Sequence, residues 1–262
     1  MSSQRWRAAL PAILMGVGLL AAWELTVRRF EIPSYIVPGP VAIGKALVVD
    51  WPLLSGSLLA TLRLTLFALL FATVGGLLAA IVFSESRFIE RTLFPYAVIL
   101  QVTPSVAIAP LIIIWVNNTA AALVLCATFV AFFPILSATV AGLKSADHNL
   151  TELFELHRAR RWQTLLYLKL PAALPYFLSG LRISGGLALV GAVVAEFVAG
   201  SGGHGSGLAY RILDAGYQLQ FPRLFAALVL ISVIGVAMHF LTSFISYLCL
   251  RSWHESTLVR ER

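Results

Sequence analysis

Apolar residues along this chain form long runs that short polar stretches separate. A helix needs about 20 predominantly apolar residues to cross the hydrocarbon of a bilayer. Six runs meet that length and predict six transmembrane helices, at residues 8–27, 58–83, 93–116, 120–143, 174–199 and 224–250. The runs occupy most of the chain. We therefore expect an all-α membrane protein whose residues 1–262 form one transmembrane domain.

The most informative polar stretch, Lys144–Lys169, lies between the fourth and fifth runs. It holds five basic residues: Lys144, Arg158, Arg160, Arg161 and Lys169. Cytoplasmic loops carry an excess of Lys and Arg. The pattern therefore predicts that this stretch and both chain termini lie in the cytoplasm.

The same polar stretch has the pattern of a short amphipathic helix. Asn149 can cap it, with Glu152 returning the bond in a capping box, and Pro171 and Pro175 mark the re-entry into the membrane. The apolar face consists of residues at helical spacing, Leu150, Leu153, Phe154 and His157. Periodicity alone leaves two interpretations, a helix lying on lipid headgroups or one fitting a groove on a cytoplasmic partner.

Composition agrees with a membrane protein, because 59% of the residues are hydrophobic and 12% are charged. The mean hydropathy is +0.88. The net charge of +7 raises the question of nucleic acid. The basic residues follow the predicted topology, however, and form no dense patch interleaved with aromatic residues, so we expect no nucleic-acid partner.

Two glycine-rich segments resemble functional loops without meeting their requirements. Residues 39–46 nearly match a phosphate-binding loop, but Ala46 stands where a hydroxyl would hold Mg²⁺, and no strand is expected before it. Ser201–Gly207 fits a flexible connection better. Cys126 and Cys249 fall in apolar runs and are expected to be core residues. We expect no catalytic residues, no metal ligands and no cofactor on this chain.

Glu196 is the most notable charge inside a predicted span. Small residues recur beside it at helical spacing: Gly180, Ser184, Gly191 and Ala195. Such a stripe allows close helix packing, and ionisable groups inside spans usually face a bundle interior or a cavity. Two roles remain open. Glu196 lines a translocation path, or it is a hydrogen-bonded packing group.

The segment Glu152–Pro171 resembles the coupling loop of ABC importer permeases, whose pattern is E-A-A-x3-G-x9-I-x-L-P. Glu152 takes the acidic position, Leu168 the aliphatic one, and Leu170-Pro171 the end, without a gap. Two flanking segments, Arg161–Thr164 and Leu170–Pro175, resemble the nitrate/sulfonate/taurine branch of these permeases.

The departures from the pattern are local. Leu153-Phe154 replaces the two alanines, and Arg158 replaces the glycine. If the loop bends at that glycine with a positive φ, a side chain there costs on the order of 1 kcal/mol. We therefore expect that either the bend moves or the two short helices join differently.

The resemblance implies a permease subunit, not an enzyme, in the bacterial inner membrane. It implies a second permease copy, most simply as a homodimer, an ABC ATPase dimer that binds ATP and Mg²⁺, and an extracytoplasmic solute-binding protein. The branch favours a sulfonate, nitrate or taurine-like anion, with a pyrimidine-type vitamin precursor next. Alternatives from other classes are a secondary transporter, a membrane enzyme and a scaffold protein.

Overall fold

A computed structural model describes residues 2–200 and 206–251, with side chains from Pro11 onward except Ala12 and Arg87. The described residues form α-helices and no strands. The helices are α1 Ser2–Arg29, α2 Pro40–Val49, α3 Trp51–Glu85, α4 Arg87–Val102, α5 Ser105–Trp115, α6 Thr119–Lys144, α7 His148–Leu156, α8 Arg161–Thr164, α9 Leu170–Ala199, α10 Leu208–Tyr217 and α11 Phe221–Leu250. A π-helical segment, Leu165–Lys169, joins α8 to α9.

Four continuous helices are long and apolar enough to cross a membrane. They are Trp51–Glu85, Thr119–Lys144, Arg161–Ala199 and Phe221–Leu250, and they contain the second, fourth, fifth and sixth predicted spans. The first predicted span lies within α1, where many of the side chains are not described. The count of six spans therefore stays a prediction.

The third predicted span, residues 93–116, is sharply bent, and its count as one span stays a prediction. Helices Phe88–Val102 and Ser105–Trp115 together are long and apolar enough to span, but they meet at an angle of 102°. Pro104 lacks an N–H, and its ring disfavours the helical conformation at the preceding residue. Thr103 accordingly adopts an extended conformation, with φ −71° and ψ 127°.

The chain divides into two compact units. The first contains Met1–Leu59 and Gly202–Ile231, and the second contains Ala60–Ser201 and Ser232–Arg262. In the first unit, Arg223 donates to the Asp50 carboxylate at 2.7 Å, and Arg211 donates to the Ser57 hydroxyl at 2.9 Å. These bonds tie α10 and the start of α11 to the start of α3.

In the second unit, α6 and α9 approach closely along the predicted small-residue stripe. The Ser184 hydroxyl donates to the Ala131 carbonyl at 2.7 Å. A Cβ atom added to Gly180 would lie 2.8 Å from the Pro134 carbonyl oxygen. Only glycine allows this backbone contact, which maximises van der Waals packing between helices in a membrane.

Candidate functional site

Helix α7 lies in the polar stretch that follows α6. Asp147 caps it, because the Asp147 carboxylate accepts the backbone N–H of Asn149 at 2.8 Å. The predicted cap by Asn149 with Glu152 is therefore wrong. A carboxylate is a stronger acceptor than an amide and complements the helix dipole. Glu152 is exposed and lies 3.1 Å from the His148 ring instead.

The predicted apolar ridge of α7 is split between two sides of the helix. Leu153 is 45% exposed and His157 is exposed, whereas Phe154 is half-buried. Leu156 is 81% exposed, and sequence reasoning missed it. It stands three residues after Leu153, a spacing that also places two side chains on one helix side. The solvent-facing surface of α7 therefore centres on Leu153 and Leu156.

Helix α7 ends at Arg158 with the bend that the family pattern assigns to a glycine. Arg158 has φ +54°. Its N–H donates to the Glu155 carbonyl, and the Ala159 N–H donates to the Phe154 carbonyl, both at 2.9 Å. This pair of bonds is a Schellman motif. Neither expected rearrangement occurs, since the bend stays in place and Arg158 carries a conformational cost of roughly 1–2 kcal/mol.

The structure shows no break at Pro171, where the sequence places re-entry into the membrane, and the point of re-entry stays a prediction. The helix runs without interruption from Arg161 to Ala199, and Pro171 lies in the first turn of α9. In the π-helical segment before it, the Leu170 N–H donates to the Leu165 carbonyl. This wider turn relieves the contact between a proline ring and the carbonyl four residues earlier.

The aliphatic positions of the family pattern anchor this continuous helix. Leu168 is buried at 8% exposure. Leu170 is half-buried against a core cluster that includes Phe83, Leu143 and Ala173. The C-terminal part of the coupling segment, Lys144–Pro171, therefore packs against the ends of the neighbouring spans.

Two ion pairs tie the coupling segment to the junction of α3 and α4. Lys144, the last residue of α6, pairs with Glu90. Lys169 pairs with Glu85, the last residue of α3, at 3.4 Å. A cavity of about 650 Å³ lies between these pairs, with Thr151 of α7 in its wall. Nothing in the sequence signals either pair, because their partners lie 54 and 84 residues apart along the chain.

Glu196 is buried between α9 and α3. It is 5% exposed, and its carboxylate accepts the Thr61 hydroxyl at 2.8 Å. This geometry fits the second of the two open roles, that of a hydrogen-bonded packing group. The role of Glu196 in a translocation path stays a prediction.

An acidic side chain stands where the segment resembling a phosphate loop would have to bind a phosphate. The Glu24 carboxylate accepts the Val41 N–H at 3.1 Å, so it occupies the start of α2. The second glycine-rich candidate lies for the most part, at residues 201–205, outside the described residues. Within the described part of the chain, no group of three or more His, Cys, Asp or Glu residues is placed to hold a metal.

Comparison with known proteins identifies the family to which the chain belongs. Residues 72–248 match the family described as binding-protein-dependent transport system inner membrane component. The chain belongs to this family of ABC importer permeases. It is a multi-pass protein of the inner membrane. Membership of this family favours a permease over the secondary-transporter, enzyme and scaffold alternatives.

Relatives of the permease carry several solute names. It is 34% identical to the riboflavin transport permease RibX of Chloroflexus aurantiacus, with 96% of this chain and 92% of the relative covered. It is 31% identical to the formylaminopyrimidine transport permease ThiX of Halalkalibacterium halodurans, covering 87% and 90%. It is 30% identical to the putative aliphatic sulfonates permease SsuC of Bacillus subtilis, covering 86% and 81%.

The fold agrees with solved transporters. An inward-facing structure of the MetNI methionine ABC transporter matches with a TM-score of 0.63 at 20% identity, over 76% of this chain and 96% of that chain. At this identity the match shows the fold alone.

Proposed function

We propose that this permease forms the translocation path of an ATP-driven importer for a small solute. An extracytoplasmic binding protein delivers the solute, and an ABC ATPase dimer in the cytoplasm binds ATP and Mg²⁺. The observation that carries the proposal is the solvent-facing apolar surface of α7 beside the family's bend at Arg158. Leu153 and Leu156 are exposed there, and the ion pairs of Lys144 and Lys169 hold the two ends of the coupling segment to the spans.

The exposed leucines fit a groove on the ATPase. An amphipathic helix docks by laying its apolar face into a hydrophobic groove, and fully burying a leucine contributes about 1.5–3 kcal/mol. Glu152 and Arg158 frame the surface with opposite charges and are proposed to set the orientation of docking.

The transport cycle is proposed to be alternating access by a permease dimer. A homodimer presents two α7 helices to two ATPase subunits. Closure of the ATPase pair moves α7, and the Lys144–Glu90 and Lys169–Glu85 pairs pass the movement to α3 and α4. The continuous helix Arg161–Ala199 passes it to the fifth span, since rigid helices move as bodies. Glu196 remains a proposed polar position of the path.

Two solute classes are supported. The branch that the coupling segment resembles favours a sulfonate, nitrate or taurine-like anion. Similarity to permeases named for riboflavin and formylaminopyrimidine favours a heteroaromatic vitamin or precursor.

The proposal is tested by co-expressing the permease with the proposed ATPase and binding protein. Leu156→Asp places a charge on the docking surface without touching the core. We expect it to abolish co-purification of the ATPase and binding-protein-stimulated ATP hydrolysis in vesicles. Leu156→Met keeps an apolar contact and is the matched control. Wild-type stimulation in Leu156→Asp would show that the ATPase docks elsewhere.

A further inference from the structure

The break between α4 and α5 opens a second polar region of the second unit, distinct from the coupling segment. A cavity of about 340 Å³ lies at the break. Gln101, Thr103 and Ser105 line it from the broken helix, and Phe129 and Phe133 line it from α6. Its volume lies at the lower end of the range for small-molecule pockets.

Each wall of the cavity comes from the middle of a long apolar helix or of the bent helix pair. Residues 101–105 are at the centre of the bent pair Phe88–Val102 and Ser105–Trp115. Residues 129–134 are at the centre of Thr119–Lys144. Leu187 is near the centre of the predicted fifth span, residues 174–199. Three helices therefore contribute mid-span residues to one cavity.

Lipid is an unfavourable neighbour for this cavity. The Gln101 side chain is exposed, and Thr103 and Ser105 are half-buried. A polar group that faces hydrocarbon without a partner costs several kcal/mol. Interrupted helical backbone at membrane depth is tolerated only where it is buried in protein or lines a water-filled cavity. The open side of the break therefore fits a water-filled path or the surface of a partner subunit rather than lipid.

The lining offers hydrogen bonds and ring faces without charge. None of the described residues that line the cavity is ionisable. Gln101 supplies both a donor and an acceptor, and the Thr103 hydroxyl, which donates to the Ile99 carbonyl at 2.8 Å, keeps its lone pairs for accepting. Pro134 has no N–H, so the usual helical hydrogen bond to the carbonyl of Val130, another lining residue, is absent. The Phe129 and Phe133 rings meet edge to face, with centroids 5.1 Å apart.

These groups suit a flat ring better than an anion. A heteroaromatic amide or amine matches the donors and acceptors along its edge and stacks on a phenyl face. A sulfonate brings a full negative charge into a site without a cationic side chain among its described lining residues, and desolvating an unpaired charge is expensive.

We propose that the cavity at the α4–α5 break is a binding site for the solute in transit, and that the solute is an uncharged heteroaromatic compound of the aminopyrimidine class. The inference rests on the proposed importer function and selects between its two solute classes. Gln101 is the specificity-determining residue, because its amide is the one side chain among the described lining residues that both donates and accepts through separate groups.

The experiment uses the complete importer in vesicles, with radiolabelled 4-amino-5-hydroxymethyl-2-methylpyrimidine and taurine as probes. We expect ATP-dependent uptake of the aminopyrimidine and none of taurine. Gln101→Leu should lower aminopyrimidine uptake at least tenfold while ATPase co-purification and binding-protein-stimulated hydrolysis persist. Gln218→Leu, the same change at the exposed end of α10, is the matched control and should transport normally.

The outcomes separate the two proposals. Uptake of taurine instead of the aminopyrimidine overturns the solute class, and unchanged uptake in Gln101→Leu overturns the site. Both results leave the importer function standing. If the binding protein does not stimulate ATP hydrolysis by the wild-type complex, by contrast, the importer function itself is contradicted. Gln101→Asn provides a second variant that keeps the amide and should retain part of the uptake.

Discussion

The coupling segment and the α4–α5 break show how differently two polar regions of one membrane protein reveal themselves. The coupling segment interrupts the hydropathy pattern with five basic residues and a spaced motif, so its position is visible along the chain. The break interrupts no hydropathy run, and Gln101 and Thr103 are flanked by apolar residues. Pro104 allows an interruption there, but the 102° angle and the cavity beside it become visible only in three dimensions.

The difference follows from the physics of each region. The coupling segment is exposed to water, so its sequence must carry the caps, charges and amphipathic period that stabilise a helix there. The break lies within apolar runs, and apolar residues suit a membrane environment whether the helix is straight or bent. The following predictions test this contrast, from the largest expected effect to the smallest.

The orientation of the coupling segment has an all-or-none test. Single cysteines are introduced at Ser145 and Ser206 in a background with Cys126 and Cys249 replaced by alanine. An impermeant thiol reagent added outside should label position 206 and leave position 145 unmodified, because basic loops stay in the cytoplasm. The opposite labelling pattern would place α7 outside and remove its role in coupling.

Leu153 and Phe154 separate docking from folding of α7. Leu153→Asp changes an exposed residue. We expect it to abolish ATPase co-purification, and with it ATP-dependent transport, while leaving thermal stability unchanged. Phe154→Asp places a charge at a half-buried position, and we expect it to lose both thermal stability and transport, with a destabilisation of about 2–4 kcal/mol. Thermal unfolding and ATPase co-purification of both variants provide the measurement. Equal loss of stability in the two variants would contradict the division of the ridge.

Glu196 tests whether polar groups of the spans outside the break take part in transport. Glu196→Gln keeps an acceptor for the Thr61 hydroxyl and removes the charge, so we expect assembly and stability to persist. Uptake should fall severalfold, because charges retained inside spans usually serve function. Thr61→Ser, which keeps the hydroxyl, is the control. Unchanged uptake in Glu196→Gln assigns the residue to packing.

The Lys169–Glu85 pair tests the connection between the coupling segment and α3. Each side chain is partly exposed, and such pairs contribute at most about 1 kcal/mol. We expect Lys169→Glu to lower stimulated hydrolysis about two- to fivefold. The charge swap Lys169→Glu with Glu85→Lys should restore most of it. A swap no better than the single variant would show that the pair does not act in coupling.

Arg158→Gly should produce the smallest effect. Glycine adopts φ near +54° without a Cβ penalty, so the end of α7 should gain about 1 kcal/mol. This gain corresponds to roughly fivefold slower hydrogen exchange at the Ala159 amide, while transport remains at the wild-type level. Faster exchange would contradict the strain assigned to Arg158.

The sequence by itself determined the membrane class, the four continuous spans and the family, and it predicted the position of the coupling segment. Each of these depends on local information: run length, basic residues near span ends, and the spacing from Glu152 to Pro171. The small-residue stripe beside Glu196 was also visible, because helical periodicity alone places Gly180, Ser184 and Gly191 on one side.

Tertiary structure decided what depends on neighbours distant in sequence. Asp147 displaced Asn149 as the cap, and Arg158 kept a glycine's conformation because two backbone bonds hold it there. Phe154 turned partly inward, whereas Leu156 faced solvent. The ion pairs at Lys144 and Lys169 and the cavity at the α4–α5 break arise only where separate helices meet. Local propensity and hydropathy describe one segment at a time and do not indicate which segments become neighbours.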